Sequence, residues 1–524
     1  MENRQRTRGW HIEPKPVPGA IGLVVVLAMA GCVAGGTRGA DRSGDEPFAA
    51  LNAGLRPTVL EPDAAPPGWS LQERMAHYKV PGVAVAVLKN GRVVAAAGYG
   101  VREAGTHDVV DADTLFSVGS ISKVVAAATT LRLVADGRLD LDRDVGAYLK
   151  SWRVPSMPEL SHPNVTLRML MSHTAGFGVH GFKDYEPDEP LPSIVQTLNG
   201  TPPAKNGPVR LTFEPGTRMR YSGGGTTVEQ MVIEDLAGAP FESVAGEQVL
   251  APLGMRRSTF VNPLPEATTN VAKAHDRGGA AAALPRGWQS FPERAASGLW
   301  TSANELGAFA GALIRSYQGR SDFLPQTLAV QMMTEVWPSI HGLGPRLGGE
   351  GAARVFNHGG ANDSYRAWIE GYLETGDGFV ILTNGTGGGS LIPEIRNALS
   401  DAIGGGTNPP VRALRLDLST PFYADYAGMY RLDESMPPDL FGHLGADFAF
   451  DALAVEVVDG AIKITEPAEE PETFELWPLS PSRFVRPGDF DPLRYEFHRS
   501  AHGTVHLLTV DRGSSRLYYR RAGS

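Results

Sequence analysis

The chain has 524 residues, 42% of them hydrophobic, and a formal net charge of −10. That length predicts two or three domains with sizeable cores rather than a disordered chain. The acidic balance and the lack of a basic run argue against a nucleic-acid partner, and the single cysteine, Cys32, excludes an internal disulfide or a cysteine-clustered metal site.

The first segment reads as a targeting signal. Arg4, Arg6, Arg8 and Lys15 precede the apolar run "AIGLVVVLAMA", which is too short to span a bilayer as a helix. "LAMAGC" resembles a bacterial lipoprotein signal, with small residues before a cysteine that is lipidated. Residues 1–31 are therefore expected to be a signal peptide and Cys32 a lipidation site, which would place the protein at the bacterial cell envelope, on the periplasmic or extracellular side. Plain signal-peptidase cleavage and an uncleaved anchor are the alternatives. Residues 32–68, rich in Gly, Ala, Pro and Asp, read as a tether.

A folded pattern starts near Trp69. "VPGVAVAVLKNGRVVAAAGYG" holds two strand-like runs joined at Asn90-Gly91, a hairpin. Next, Val124, Ala127, Ala128, Leu131 and Ala135 repeat at helical spacing, with Gly137 where that helix would end. Ser302 and Glu305 read as a capping box before Leu306, Phe309, Ala310 and Leu313. Residues 366–385 read as another hairpin and "LIPEIRNALSDAI" as a closing helix. The expectation is an α+β fold: an antiparallel sheet flanked by helices, plus a helical subdomain, over residues 69–405. After a linker at 406–419 the pattern alternates, as in "AVEVVDGAIKIT", so 420–524 is expected to be a small all-β domain.

Ser120-Ile121-Ser122-Lys123 is the one S-x-x-K motif in the chain and falls at a predicted helix start. Residues three apart share a face, so the lysine amine reaches the serine hydroxyl. A desolvated lysine has a lowered pKa and can take the serine proton, while the helix N-terminus suits an oxyanion. Alone the motif is weak. Two later segments add Tyr221 in a Gly-rich loop before a helix, and His358-Gly359-Gly360 before the terminal hairpin.

In this order the three segments resemble the serine penicillin-recognising enzymes: class C β-lactamases, DD-peptidases and related esterases and D-aminopeptidases. "VTLRMLMSHTAGF", "ASGLWTSANELGAF", "VLAPLGM" and "VILTNG" carry the same resemblance, which spans about residues 70–405. It implies Ser120 as nucleophile, Lys123 as its activating partner, and Tyr221 as a base toward Ser120 and then an acid toward the leaving group. The N–H groups of Ser120 and Ala361 would form the oxyanion hole, and His358, Gly359 and Gly360 would line the strand on which substrate lies. "YAGMYRL" more weakly resembles the barrel-like domain that follows the catalytic domain in some members.

Two positions depart from the family. Tyr221-Ser222-Gly223 replaces the common Tyr-x-Asn, removing an amide contact to substrate at Gly223. His358 stands where many members have lysine, and a mostly neutral histidine attracts a carboxylate less. Both point away from a dedicated β-lactamase. The expectation is a serine hydrolase acting through an acyl-enzyme on small esters, amides or D-amino-acid peptides, with no metal or organic cofactor. The alternatives are a β-lactamase, a DD-carboxypeptidase of the penicillin-binding class, and a catalytically silent wall-peptide-binding protein. Nothing in the sequence sets the oligomeric state. His498, His502 and His506 recur every four residues, but the segment reads as a hairpin that would not gather them around a metal. His173 reads as loop-fixing.

Overall fold

The computed structural model describes residues 46–160, 164–403, 408–433, 435, 451–466, 472–487, 492–512 and 515–523. Cys32 and the expected signal segment lie outside the described residues.

The expected tether needs correction. Residues 46–60 form helix α1 (Glu46–Ala53) and strand β1 (Val59–Leu60). Leu51 and Leu55, one turn apart, are fully buried in a cluster with Leu391, Ile395 and Leu399. The linker expected at 406–419 also contributes structure. Val59 and Leu60 pair in parallel with Val411 and Arg412, a two-residue strand (β10 in chain order). Glycine and proline content suggested flexibility at both places, but a few apolar residues suffice to anchor each one.

Helix α2 (Leu71–Tyr78) starts at a capping box in which Ser70 and Glu73 satisfy each other's backbone N–H. Strands β2 (Gly82–Lys89) and β3 (Arg92–Gly100) follow, joined at Asn90 and Gly91, both with positive φ. Strand β4 (Phe116–Ser117) leads into α3 (Ser122–Ala135), and α4 (Gly223–Ala237) comes after a long stretch of loops with two short α-helices, Leu167–Met171 and Ile194–Asn199. Then come β5 (Trp300–Thr301), α5 (Ala303–Tyr317), β6 (Arg346–Gly348), β7 (Val355–Ala361), β8 (Arg366–Tyr372), β9 (Gly378–Thr383) and α6 (Gly388–Ala402).

The main sheet is antiparallel with order β3-β2-β9-β8-β7-β6. Side chains of β2 divide by parity: Val83, Val85 and Val87 join the cluster of α6, while Ala84, Ala86 and Leu88 join that of α5. Both faces are thus covered by helices, and β2 is apolar throughout for that reason. Strand β6 pairs only with residues 355–357 of β7, which leaves the stretch from His358 to Ala361 as a free edge toward the helical region.

At the start of α5, Ser302 Oγ accepts the Glu305 N–H, but the reciprocal half of the expected capping box is absent. The Glu305 carboxylate instead accepts from the N–H groups of Arg257 (2.9 Å) and Ser258 (2.8 Å) and from the Ser258 hydroxyl (2.6 Å). A tertiary demand wins over the local cap.

The C-terminal domain is a closed antiparallel barrel of eight strands, β11–β18, running from Gly428–Leu432 to Ser515–Arg521. Its core is aromatic: Tyr426 stacks on Phe497 with ring centroids 4.2 Å apart, among Tyr430, Phe484, Tyr495 and Tyr519. His498 and His506 sit on separate strands of one hairpin with His502 at its turn, so the four-residue spacing gathers nothing. Among the described residues no group of three potential ligands could hold a metal.

Candidate active site

Ser120 lies in a short 3₁₀ turn, Gly119–Ile121, that feeds directly into α3. Gly119 has φ +47°, and a Cβ there would stand 2.7 Å from both N and O of Ala361. At Gly360 a Cβ would stand 1.9 Å from the Val118 carbonyl oxygen. Two glycines therefore let the edge of β7 lie flat against the serine turn. Ser122 ties the turn down from the other side: its hydroxyl donates to Gly119 O (2.6 Å) and accepts the Leu299 N–H (2.9 Å).

Lys123 is 4% exposed at the head of an apolar helix. Its Nζ lies 3.1 Å from Ser120 Oγ and donates to the Ala296 carbonyl at 2.7 Å. It also stands 5.1 Å from the centre of the Tyr221 ring. Burial brings its pKa down to about 7, against a smaller upward pull from Glu229. An amine in that range is a base at neutral pH, which an exposed lysine is not.

Ser120, Tyr221, His358, Gly359, Gly360 and Ala361 line one cavity of about 410 Å³, with Lys123 beside Ser120. Gly223, read with the substrate-binding positions although it lacks the family's amide, is not among the residues that line this cavity. Its N–H donates to His180 O at 2.9 Å, and a Cβ built on it would stand 3.0 Å from Phe182 Cε2. The loop carrying His180 and Phe182 fills the space that a longer side chain at 223 would need.

Residues that sequence reading did not place complete the cavity: His180, His341, Arg346, Arg366, Trp368, Ile392 and Pro393. They arrive from separate segments, and no spacing rule could have joined them. His173, Tyr221 and His341 pack ring to ring, with centroids 4.3 Å apart for His173–Tyr221 and 4.8 Å for His173–His341. His173 also takes φ +61°, accepts the Ser222 N–H on Nδ1 and accepts the Arg220 N–H on its own carbonyl, so it holds the loop that presents Tyr221.

His173, His341 and His358 are held neutral. Burial, reinforced by Lys123, pushes His358 down to about 3, and burial with neighbouring charge puts His173 and His341 well below the usual imidazole range. A ring nitrogen facing a carbonyl must donate, so Nδ1–H of His358 goes to Gly359 O (2.7 Å) and that of His341 to Gly344 O (3.2 Å). Among the described residues no acidic side chain lines the cavity.

A family model described as Beta-lactamase matches residues 70–402. Esterase EstB of Burkholderia gladioli is 31% identical over 238 residues, which covers 41% of this chain and 57% of that protein. A D-aminopeptidase of Brucella anthropi is 25% identical over 294 residues, 55% of this chain and 53% of that protein. The chain thus matches little more than half the length of these curated relatives. Among solved structures, the octameric penicillin-binding protein homologue from Pyrococcus abyssi has a TM-score of 0.54 at 21% identity, covering 86% of this chain and 98% of that one. SurE with D-Leu has a TM-score of 0.53 at 24% identity, covering 86% and 97%. Both share the fold across more than the family-model region. With a matched model over more than half its length, and with serine, lysine and tyrosine gathered at one cavity, the chain belongs to the Beta-lactamase family.

Proposed function

We propose that this serine hydrolase of the Beta-lactamase family cleaves small esters, amides or D-amino-acid peptides through an acyl-enzyme on Ser120. The observation that carries the reading is the 3.1 Å approach of Lys123 Nζ to Ser120 Oγ, with the lysine desolvated. The free amine takes the Ser120 proton as Oγ attacks the substrate carbonyl carbon. The carbonyl electron pair moves onto oxygen, facing the N–H groups of Ser120 and Ala361, which the glycine contacts bring close together. As the intermediate collapses, the C–O or C–N bond breaks and the leaving group takes a proton from Tyr221 or the Lys123 ammonium. Water then repeats the sequence on the ester of Ser120, restoring the free hydroxyl.

Esters, amides and D-amino-acid peptides are favoured over β-lactams by Gly223 and by the neutral His358, which offer neither the amide contact nor the cation such substrates use. The names of the esterase and D-aminopeptidase relatives point the same way. We propose further that residues 1–31 direct export and that Cys32 carries the lipid, a reading supported by the basic residues Arg4, Arg6, Arg8 and Lys15, the apolar run after them and "LAMAGC".

The test uses a soluble form beginning at residue 45 and its Ser120→Ala variant. Intact mass is recorded after a fluorophosphonate, a penicillin and a p-nitrophenyl ester, with ester release followed in parallel. Ester turnover and phosphonylation in the parent alone support the proposal. A lasting penicillin adduct would indicate a penicillin-binding peptidase, rapid penicillin hydrolysis a β-lactamase, and no labelling a binding protein. Fatty-acid incorporation at Cys32, lost in Cys32→Ala, tests the lipid.

A further inference from the structure

The lysine beside Ser120 has a buried counter-charge that the Ser120/Lys123/Tyr221 set does not include. Glu229, on α4, is 1% exposed, and its Oε1 accepts the Thr130 hydroxyl at 2.6 Å. Thr130 lies about two turns along α3 from Lys123 and so on the same helical face. The carboxylate therefore sits in the seam between the helix that carries Lys123 and the helix that follows Tyr221.

Its electrostatic surroundings are sparse. Glu229 is the one carboxylate acting on Lys123 and Lys123 the one cation acting on Glu229 among the described residues. From the other elements around it, Lys123 meets His173, His341 and His358, all neutral, and the face of the Tyr221 ring. Burial raises Glu229 to about 7, into the range where Lys123 also titrates. A carboxylate placed in an apolar helix seam with one hydroxyl partner costs stability that a leucine there would not. That cost marks a site where charge has a use.

We propose that Glu229 is a positioning residue for the reaction at Ser120: its carboxylate balances the ammonium formed when Lys123 takes the Ser120 proton. This rests on the serine-hydrolase reading above. The Oγ–H proton moves to Nζ while the Oγ–carbon bond forms. Glu229 makes and breaks no bond; in its ionised form it raises the basicity of Lys123 across the seam, and the Thr130 hydroxyl favours that form against the opposing effect of burial.

The experiment measures the fluorophosphonate labelling rate of Ser120 in the full chain from pH 5.5 to 9, by intact mass. Parent, Glu229→Gln and Thr130→Val are compared. Glutamine keeps an acceptor for Thr130 but removes the charge, so the acid-side midpoint moves down by about one pH unit. At a pH one unit below the parent midpoint, the fraction of lysine in free-base form then rises roughly fivefold. The plateau falls severalfold because a weaker base removes the proton less well. Thr130→Val leaves Glu229 harder to ionise and shifts the midpoint in the same direction. A Glu229→Gln profile superimposable on the parent, with only the melting temperature changed, would overturn the proposal. If Glu229→Gln does not fold, an unshifted Thr130→Val profile overturns it instead. A parent that is not labelled at any pH sinks the serine-hydrolase reading first, and this proposal with it; a labelled parent with unshifted variants sinks this proposal alone.

Discussion

The Ala296 carbonyl accepts a hydrogen bond from Lys123 Nζ at 2.7 Å, shorter than the 3.1 Å that separates Nζ from Ser120 Oγ. A carbonyl can hold an amine in either protonation state, because it asks only for one N–H. The lysine is thereby aimed at Ser120 without a carboxylate bonded to it that would fix it as an ammonium.

The first prediction concerns pH. With Lys123 brought down to about 7 by burial, kcat/KM for a p-nitrophenyl ester should rise as pH increases through that value. The sign follows from the free amine being the active form: below the midpoint the lysine holds its proton and cannot accept that of Ser120. Lys123→Arg, charged at every usable pH, should lower kcat/KM by roughly 10²–10⁴-fold and abolish the limb. A parent profile flat from pH 5.5 to 8 would contradict the assignment.

Position 223 offers a second test. Gly223→Asn restores the usual family residue but drives its side chain toward Phe182 and the His180 carbonyl, 3.0 and 3.1 Å from the new Cβ. Overpacking of this kind costs about 1–3 kcal/mol, to be read from urea denaturation. No lasting penicillin adduct should appear by mass. A variant as stable as the parent and acylated by penicillin would show that the loop yields easily and that specificity resides elsewhere.

Ser122 should matter without touching substrate. Ser122→Ala leaves the Leu299 N–H unpaired in a fully buried setting and takes the hydroxyl donor from the Gly119 carbonyl, which keeps the Ser122 backbone N–H, a loss of about 1–3 kcal/mol. Because Gly119 precedes Ser120, fluorophosphonate labelling should slow as well. Normal labelling in a destabilised variant would confine Ser122 to folding.

The buried acid Glu293 carries a stability prediction. It is 3% exposed, and burial with nearby Asp184 raises it to about 8. Between pH 5 and 7 the folded state then keeps a proton that the unfolded chain has released, so this group's contribution falls as pH rises. Glu293→Gln removes that dependence. Relative to the parent, the unfolding free energy of the variant should gain about 1.4 kcal/mol per pH unit across that window, measured by denaturant titration at several pH values. Parallel pH dependences would mean that Glu293 ionises normally.

How far the sequence discloses such a site depends on distance along the chain. Ser120 and Lys123 are one helical turn apart, Tyr221 precedes a periodic helix, and His358-Gly359-Gly360 precedes a hairpin, so each announces itself locally. Gly119 and Gly360 become intelligible only when the approach of the serine turn to β7 is seen. Glu229 reads as one polar residue among several on its helix, and its relation to Lys123 exists only across the α3–α4 seam. Helix α1 was hidden differently: alanine, glycine and proline around it suggest a tether, while Phe48, Ala50 and Leu51 of the helix and Leu55 just after it supply its anchoring face. Ser302 and Glu305 match a capping pattern, yet Glu305 is recruited by Ser258.

The parallel pairing of β1 with β10 has a consequence for modularity. Val59, Ala413 and Val485 form one small cluster, so residues before the catalytic domain, residues after it and a barrel strand meet at a single clasp. Arg56 reinforces it, bonded to Asp401 and to the Asn408 carbonyl. A graft or truncation drawn at the end of α6 would strip β1 of its partner and bare Leu60 and Val59 to water. The portable unit accordingly runs through residue 413, and a barrel exchanged between relatives must bring a residue that can stand in for Val485.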